Sequence, residues 1–127
     1  MPTVMVVDDT AIIRETVARL LRREGYQTLC AASGKEALAM LKNAVPDLLL
    51  MDIMMPEMDG MECLAFLRQE PKWRRLPVIV MSALSDEEHQ HQAQELGACD
   101  YLVKAKSSIS QILERVRVCI DSGSAKN

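Results

Sequence analysis

Pro46-Asp47-Leu48-Leu49-Leu50-Met51-Asp52-Ile53-Met54-Met55-Pro56-Glu57-Met58-Asp59-Gly60 is the stretch that decides how the chain reads. Leu48 to Met51 form an unbroken apolar run that ends on a carboxylate. Such a run, bounded by Pro46, is the pattern of a strand buried on both faces. A carboxylate where a buried strand meets a loop is costly unless it has a partner or a task. Asp52 is therefore read as the reactive group. Pro56 lies in the loop that follows. Gly60 opens a helix to Gln69, packing through Leu64 and Leu67 with Cys63 or Phe66.

The flanking chain repeats the pattern. Val4-Met5-Val6-Val7 is a buried strand ending on Asp8-Asp9, and Thr10 is placed to cap the next helix. Ile13, Val17, Leu20 and Leu21 form that helix's apolar stripe, with Arg14, Glu15, Arg19, Arg22 and Arg23 on the other side and Gly25 as its stop. Gln27 to Ala31 is a weaker strand, and Ser33-Gly34 starts a helix with Ala37, Leu38 and Leu41 inward. Glu70 to Pro77 is a polar connection holding Trp73. Val78 to Met81 is a strand ending on Ser82, and Asp86 to Leu96 a polar helix. That helix has only Ala93 and Leu96 as its stripe, so it is expected to be the least firmly held. Tyr101-Leu102-Val103 is the last strand, ending on Lys104. Ser107 or Ser108 caps a final helix striped by Ile109, Ile112, Leu113, Val116 and Ile120.

Strand–helix alternation of this kind gives an α/β fold, a doubly wound parallel sheet with helices on both faces. The spacing predicts one domain over residues 1–121, with Ser122 to Asn127 as a flexible tail or truncated linker. The 127 residues suffice for one core, and 49% apolar with 26% charged residues suits a soluble protein. A net charge of -3 with no basic stripe speaks against direct nucleic-acid binding. The N-terminus lacks the pattern of a secretion leader, and no apolar run is long enough for a membrane span. Cys30, Cys63, Cys99 and Cys119 are widely spaced in apolar contexts, so they are expected as free, buried thiols of a cytoplasmic protein. His89 and His91 read as surface residues of a helix, and the methionines between Met51 and Met61 as core and loop.

Right-handed crossovers put every strand's C-terminal end on one edge. That edge receives Asp8, Asp9, Asp52, Ser82 and Lys104. In open α/β sheets the carboxyl edge is where ligands bind. One acid there is often a mere helix cap, but five convergent polar groups are not readily an accident. Three converging carboxylates repel one another without a cation. An all-oxygen set selects a hard divalent ion such as Mg2+. A carboxylate beside such an ion can attack a phosphoryl group. Lys104 offers a positive charge to one phosphoryl oxygen and Ser82 a hydroxyl to another.

These pieces resemble the CheY-like receiver domain of bacterial two-component response regulators. The resemblance rests on Val7-Asp8-Asp9, on Asp52 to Gly60, on Met81-Ser82-Ala83 and on Gly97 to Lys104. It spans Val4 to about Ile120. It implies a flavodoxin-like three-layer (βα)5 sandwich with strand order 2-1-3-4-5. Asp52 would accept a phosphoryl group from a sensor histidine kinase or histidine phosphotransfer protein. Asp9, Asp52 and the carbonyl of Met54 would bind Mg2+ directly, and Asp8 through water. Ser82 and Tyr101 would be the switch pair, passing the signal to a downstream protein target or effector domain through the last helices and strand. A phosphorylation-dependent homodimer is a further option. The resemblance implies a signalling module that catalyses only its own phosphorylation and slow dephosphorylation, with no membrane or nucleic-acid contact of its own.

Two positions depart from the family pattern. Ala105 follows Lys104 where the family has proline, commonly with a cis bond, which leaves the Lys104–Ala105 bond open between cis and trans and makes Lys106 a nearby competitor. Met54 and Leu84 are apolar where relatives' side chains influence water attack, so a long-lived phosphorylated state is expected. The alternative of another class is a haloacid-dehalogenase-like phosphohydrolase with Asp52 as nucleophile. That family wants a second acid two residues on, where Met54 stands. A flavin-binding module would need a phosphate-cradling loop after the first strand, where Asp8-Asp9 would repel phosphate.

Overall fold

Thr3–Val7 (β1), Gln27–Ala31 (β2), Leu48–Asp52 (β3), Val78–Ser82 (β4) and Asp100–Val103 (β5) pair in parallel in the order β2-β1-β3-β4-β5. In the computed structural model, residues 2–83 and 87–125 are described, with side chains as far as Ser122. The helices that follow the strands are Ala11–Arg23 (α1), Gly34–Leu41 (α2), Gly60–Gln69 (α3), Glu87–Glu95 (α4) and Ile109–Ala125 (α5). A single 3-10 turn, Lys104–Lys106, joins β5 to α5.

Two core layers follow from the period-2 alternation of strand side chains. Met5, Val7, Leu49 and Met51 pack on one face with Ala37, Leu41, Cys63, Leu64, Leu67 and Ala93. Val4, Val6, Leu48 and Leu50 pack on the other with Ala18, Leu21, Val116, Cys119 and Ile120. Because β1 and β3 are buried on both faces, both read as continuous apolar runs. Each fully buried leucine of β3 contributes about 2 kcal/mol.

Local chemistry sets the helix starts. Ser33 accepts from the Glu36 N–H ahead of α2, and Asp59 with Glu62 forms a reciprocal capping box ahead of α3. Ser108 caps α5, accepting from the Gln111 N–H at 3.2 Å. Thr10 stands at the start of α1, but its side chain makes no cap bond. The helix α5 runs on to Ala125, past Ser122 where the sequence reads as linker, and Lys126 and Asn127 lie outside the described residues.

Three further features were not legible as elements. Trp73 is buried although it sits in a polar connection. Arg68 of α3 donates to the carbonyls of Leu96 and Gly97 just after α4 and to those of Trp73, Arg74 and Leu76. One guanidinium thus ties α3, the following connection and the end of the polar helix α4. Glu57 has φ of 68°, a left-handed conformation that an L side chain adopts at a cost. Its ion pair with Lys35 is exposed at both ends and compensates little. Glu57→Gly is expected to raise stability by about 1 kcal/mol in urea unfolding. No change, or a loss, would show that the Lys35 pair outweighs the backbone.

The cysteine expectation is corrected. Cys99 and Cys119 form a disulfide, their Cα atoms 6.1 Å apart, while Cys30 and Cys63 are free. The pairing depends on α5 docking beside the start of β5, a contact that spacing alone does not reveal. Burial pushes the Cys63 thiol up to about 11, so that cysteine is chemically quiet near neutral pH.

Candidate functional site

Register brings the strand ends together. Val7 lies beside Met51, so the next residues, Asp8 and Asp52, leave β1 and β3 at the same level. Asp52 lies beside Met81, one residue before Ser82, and Ser82 lies beside Val103, one residue before Lys104. Asp8, Asp52 and Ser82 are buried, and Asp9 is exposed at the mouth. One oxygen from each of Asp8, Asp9 and Asp52 lies within 4.8 Å of the others.

Lys104 sits between two of these acids. Its Nζ is 3.0 Å from Asp8 Oδ2 and 3.1 Å from Asp52 Oδ2. Lys106 is exposed and belongs to none of the ion pairs among the described residues, so Lys104 is the lysine of the cleft. No peptide bond among the described residues is cis, and Lys104–Ala105 is trans. Thr10 N–H donates to Asp8 Oδ1 at 2.9 Å, and Met54 N–H to Asp52 Oδ1 at 3.2 Å.

The electrostatics follow from burial. Desolvation pushes the Asp52 carboxyl above its usual range; Lys104 draws it back by hydrogen bond and charge, while Asp8 adds to the rise. For Lys104, burial works downward, but its bonds to Asp8 and Asp52 outweigh it and the net direction is up. The site therefore holds more negative charge than one lysine balances. An all-oxygen set with two buried carboxylates and one exposed one suits a hard divalent cation.

Two contributors were missed in the sequence. Arg14, which reads as an outward residue of α1, donates from Nη1 to the Asp8 carbonyl at 2.7 Å and so holds the peptide between Asp8 and Asp9. Gly60, which reads only as a helix start, lies against the backbone of Asp52 and Ile53. Neither has a sequence signal beyond residue type, because both contacts cross between elements. Of the switch pair, Ser82 is fully buried and Tyr101 is half-buried against the core layer of α3 and α4. Met54 is exposed, whereas Leu84 lies outside the described residues.

A family profile described as "Response regulator receiver domain" matches residues 4–117. The chain is 32% identical over 118 residues to the polar-differentiation response regulator DivK of Brucella ovis, covering 91% of this chain and 93% of that protein. It is 37% identical to a probable transcriptional regulator, ycf27, of Porphyridium aerugineum, covering 98% of this chain but only 51% of that protein. It thus spans about half of that relative's length. The solved CheY-like receiver domain protein of Methanospirillum hungatei superposes with a TM-score of 0.92 at 25% identity, covering 100% of this chain and 99% of that one.

Proposed function

The chain belongs to the response regulator receiver domain family, and from that footing we propose that Asp52 is the phosphoacceptor of a two-component phosphorelay. The observation that carries the assignment is the placement of Asp52: a buried carboxylate at a strand end, grouped with Asp8 and Asp9 and touched by Lys104. The phosphodonor is the phosphohistidine of a sensor histidine kinase or histidine phosphotransfer protein. An Asp52 oxygen forms the new O–P bond as the donor's P–N bond breaks, and the leaving imidazole takes up a proton. Lys104, already beside Asp52, turns its ammonium to a phosphoryl oxygen. Ser82 offers its hydroxyl to another, and Tyr101 follows into the space Ser82 vacates.

Mg2+ suits the all-oxygen carboxylate set; Asp9, Asp52 and the Met54 carbonyl would hold it directly, and Asp8 through water. When bound, it offsets the negative charge of the incoming phosphoryl group. The activity is confined to the chain's own phosphorylation and slow dephosphorylation. Its output is docking of the face built by α4, β5 and α5 to a downstream protein or effector domain, in the cytoplasm. Among the described residues no helix is long and apolar enough to cross a membrane. The phosphohydrolase alternative has no support, since Met54 occupies the place its second acid needs.

Acetyl phosphate or beryllofluoride with Mg2+ tests the assignment. The wild type gains the mass of one phosphoryl group from acetyl phosphate, and Asp52→Asn gains none. Equal gain by both, or none by the wild type, removes the proposal. The off-rate gives a second test. Met54 is 57% exposed and apolar, so it offers no hydrogen bond to an approaching water. Met54→Asn is expected to speed loss of the phosphoryl group on the order of tenfold. An unchanged lifetime would mean that Met54 does not control the water.

A further inference from the structure

The disulfide lies at the opposite end of β5 from the acidic cleft. Cys99 immediately precedes β5, whereas Lys104 follows it. Cys119 is on α5, buried among Val116, Ile120, Leu21 and the β1 valines. At the cleft end, α5 is joined to β5 by the chain itself through Lys104–Lys106. At the far end the cross-link makes the second attachment, reinforced by the ion pair between Asp100 and Arg115. Opening the bond would leave the far end of α5 held only by that ion pair and by the core packing of Val116 and Ile120.

Exposure sets the direction of attack. Cys99 is an exposed residue and Cys119 is 1% exposed, so Cys99 is the half of the bond that an external thiolate would attack. The other two cysteines do not compete. Cys63 is fully buried in the other core layer, and Cys30 lies on β2, the far edge strand of the sheet. Disulfides in reducing compartments are chiefly transient or redox-sensing.

We propose that Cys99–Cys119 is a reversible thiol–disulfide site, opened by a dithiol reductant at Cys99, whose state sets how tightly α5 is held against β5. The reductant's thiolate bonds to the Cys99 sulfur while the Cys99–Cys119 bond breaks. Cys119 leaves as a thiolate and takes a proton. The reductant's second thiolate then displaces Cys99, which is protonated in turn. Two electrons and two protons pass to the protein, and the dithiol becomes its own disulfide. This inference goes beyond the phosphoacceptor reading and does not depend on it.

The test uses the full chain without Mg2+ or phosphodonor, so its failure leaves the Asp52 assignment untouched. Reduced dithiothreitol is the reductant and oxidised dithiothreitol the reverse reagent. The oxidised protein shows two alkylatable thiols after unfolding, those of Cys30 and Cys63, and the reduced protein shows four. Reduction of the native protein speeds amide exchange in the Ile112–Ile120 part of α5 by about tenfold or more, with β3 unchanged, and lowers the melting temperature by about 10 °C. Reoxidation reverses both. Cys99→Ser, at an exposed position, reproduces the loosened α5 without reductant. Four thiols after oxidation, a bond that yields only on global unfolding, or reduction with no change in α5 exchange would each overturn the proposal.

Discussion

Lys104→Met is expected to lower stability by about 3 kcal/mol at pH 8 and to abolish the response to acetyl phosphate. The ammonium lies within about one hydrogen bond of both Asp8 and Asp52, whose side chains are 6% and 5% exposed. Removing one partner of a buried charge group leaves the others uncompensated, a loss of about 3–5 kcal/mol. The low end applies because the Lys104 side chain keeps 21% of its surface in water. The sign with pH follows from Asp52, which burial already holds above its usual range. Without Lys104 that rise grows, so the folded state favours the protonated acid more than the unfolded state does. The deficit is then full above the raised folded value and fades as pH falls from there toward the ordinary carboxylate value, about 4. Urea unfolding at pH 8 and pH 4.5 checks this, with Mg2+ expected to restore part of the loss at pH 8 by replacing the missing charge. A deficit of equal size at both pH values would mean that Lys104 acts through its alkyl stem instead.

Gly60→Ala is expected to cost at least about 3 kcal/mol and to impair phosphoryl uptake even where the fold survives. A Cβ at that position would stand 2.4 Å from the Asp52 carbonyl oxygen and 2.8 Å from the Ile53 Cα. Both are backbone atoms of the strand end that carries the reactive acid, so neither can swing aside. The Gly60 N–H also donates to the Ile53 carbonyl at 2.9 Å, fixing the approach. The reason for glycine here is space rather than an unusual φ. Gly34→Ala makes the control, because its nearest neighbour is the flexible Met58 Sδ at 3.3 Å. That change is expected to stay within about 1 kcal/mol. If the two substitutions cost the same in chemical denaturation, the close approach under Asp52 is not the cause.

The legible part of the molecule was the part written in local pattern. Val4 to Val7, Leu48 to Met51 and Val78 to Met81 are apolar because both faces of those strands are covered, and the polar residue ending each run marks the sheet's edge. Once the strands were placed, Asp8, Asp9, Asp52, Ser82 and Lys104 had to share that edge. The illegible part depends on contacts between elements distant in sequence. Cys99 pairs with Cys119 only because α5 lies beside the start of β5. Arg14 turns from the polar face of α1 to the Asp8 carbonyl, and Trp73 sinks into the core from a connection of polar neighbours. Glu57 takes a left-handed conformation that glycine adopts more readily, and no residue of its loop announces it.

The central claim is that Asp52, and not a neighbouring acid, carries the phosphoryl group. Borohydride reduces an acyl phosphate to the alcohol, so a phosphorylated aspartate becomes homoserine while free carboxylates are untouched. After acetyl phosphate and Mg2+ treatment, borohydride trapping and peptide sequencing by mass spectrometry should find homoserine at position 52 and aspartate intact at positions 8, 9 and 59. Homoserine at any of those three positions, or aspartate unchanged at all four in a protein that had gained phosphoryl mass, would contradict the account.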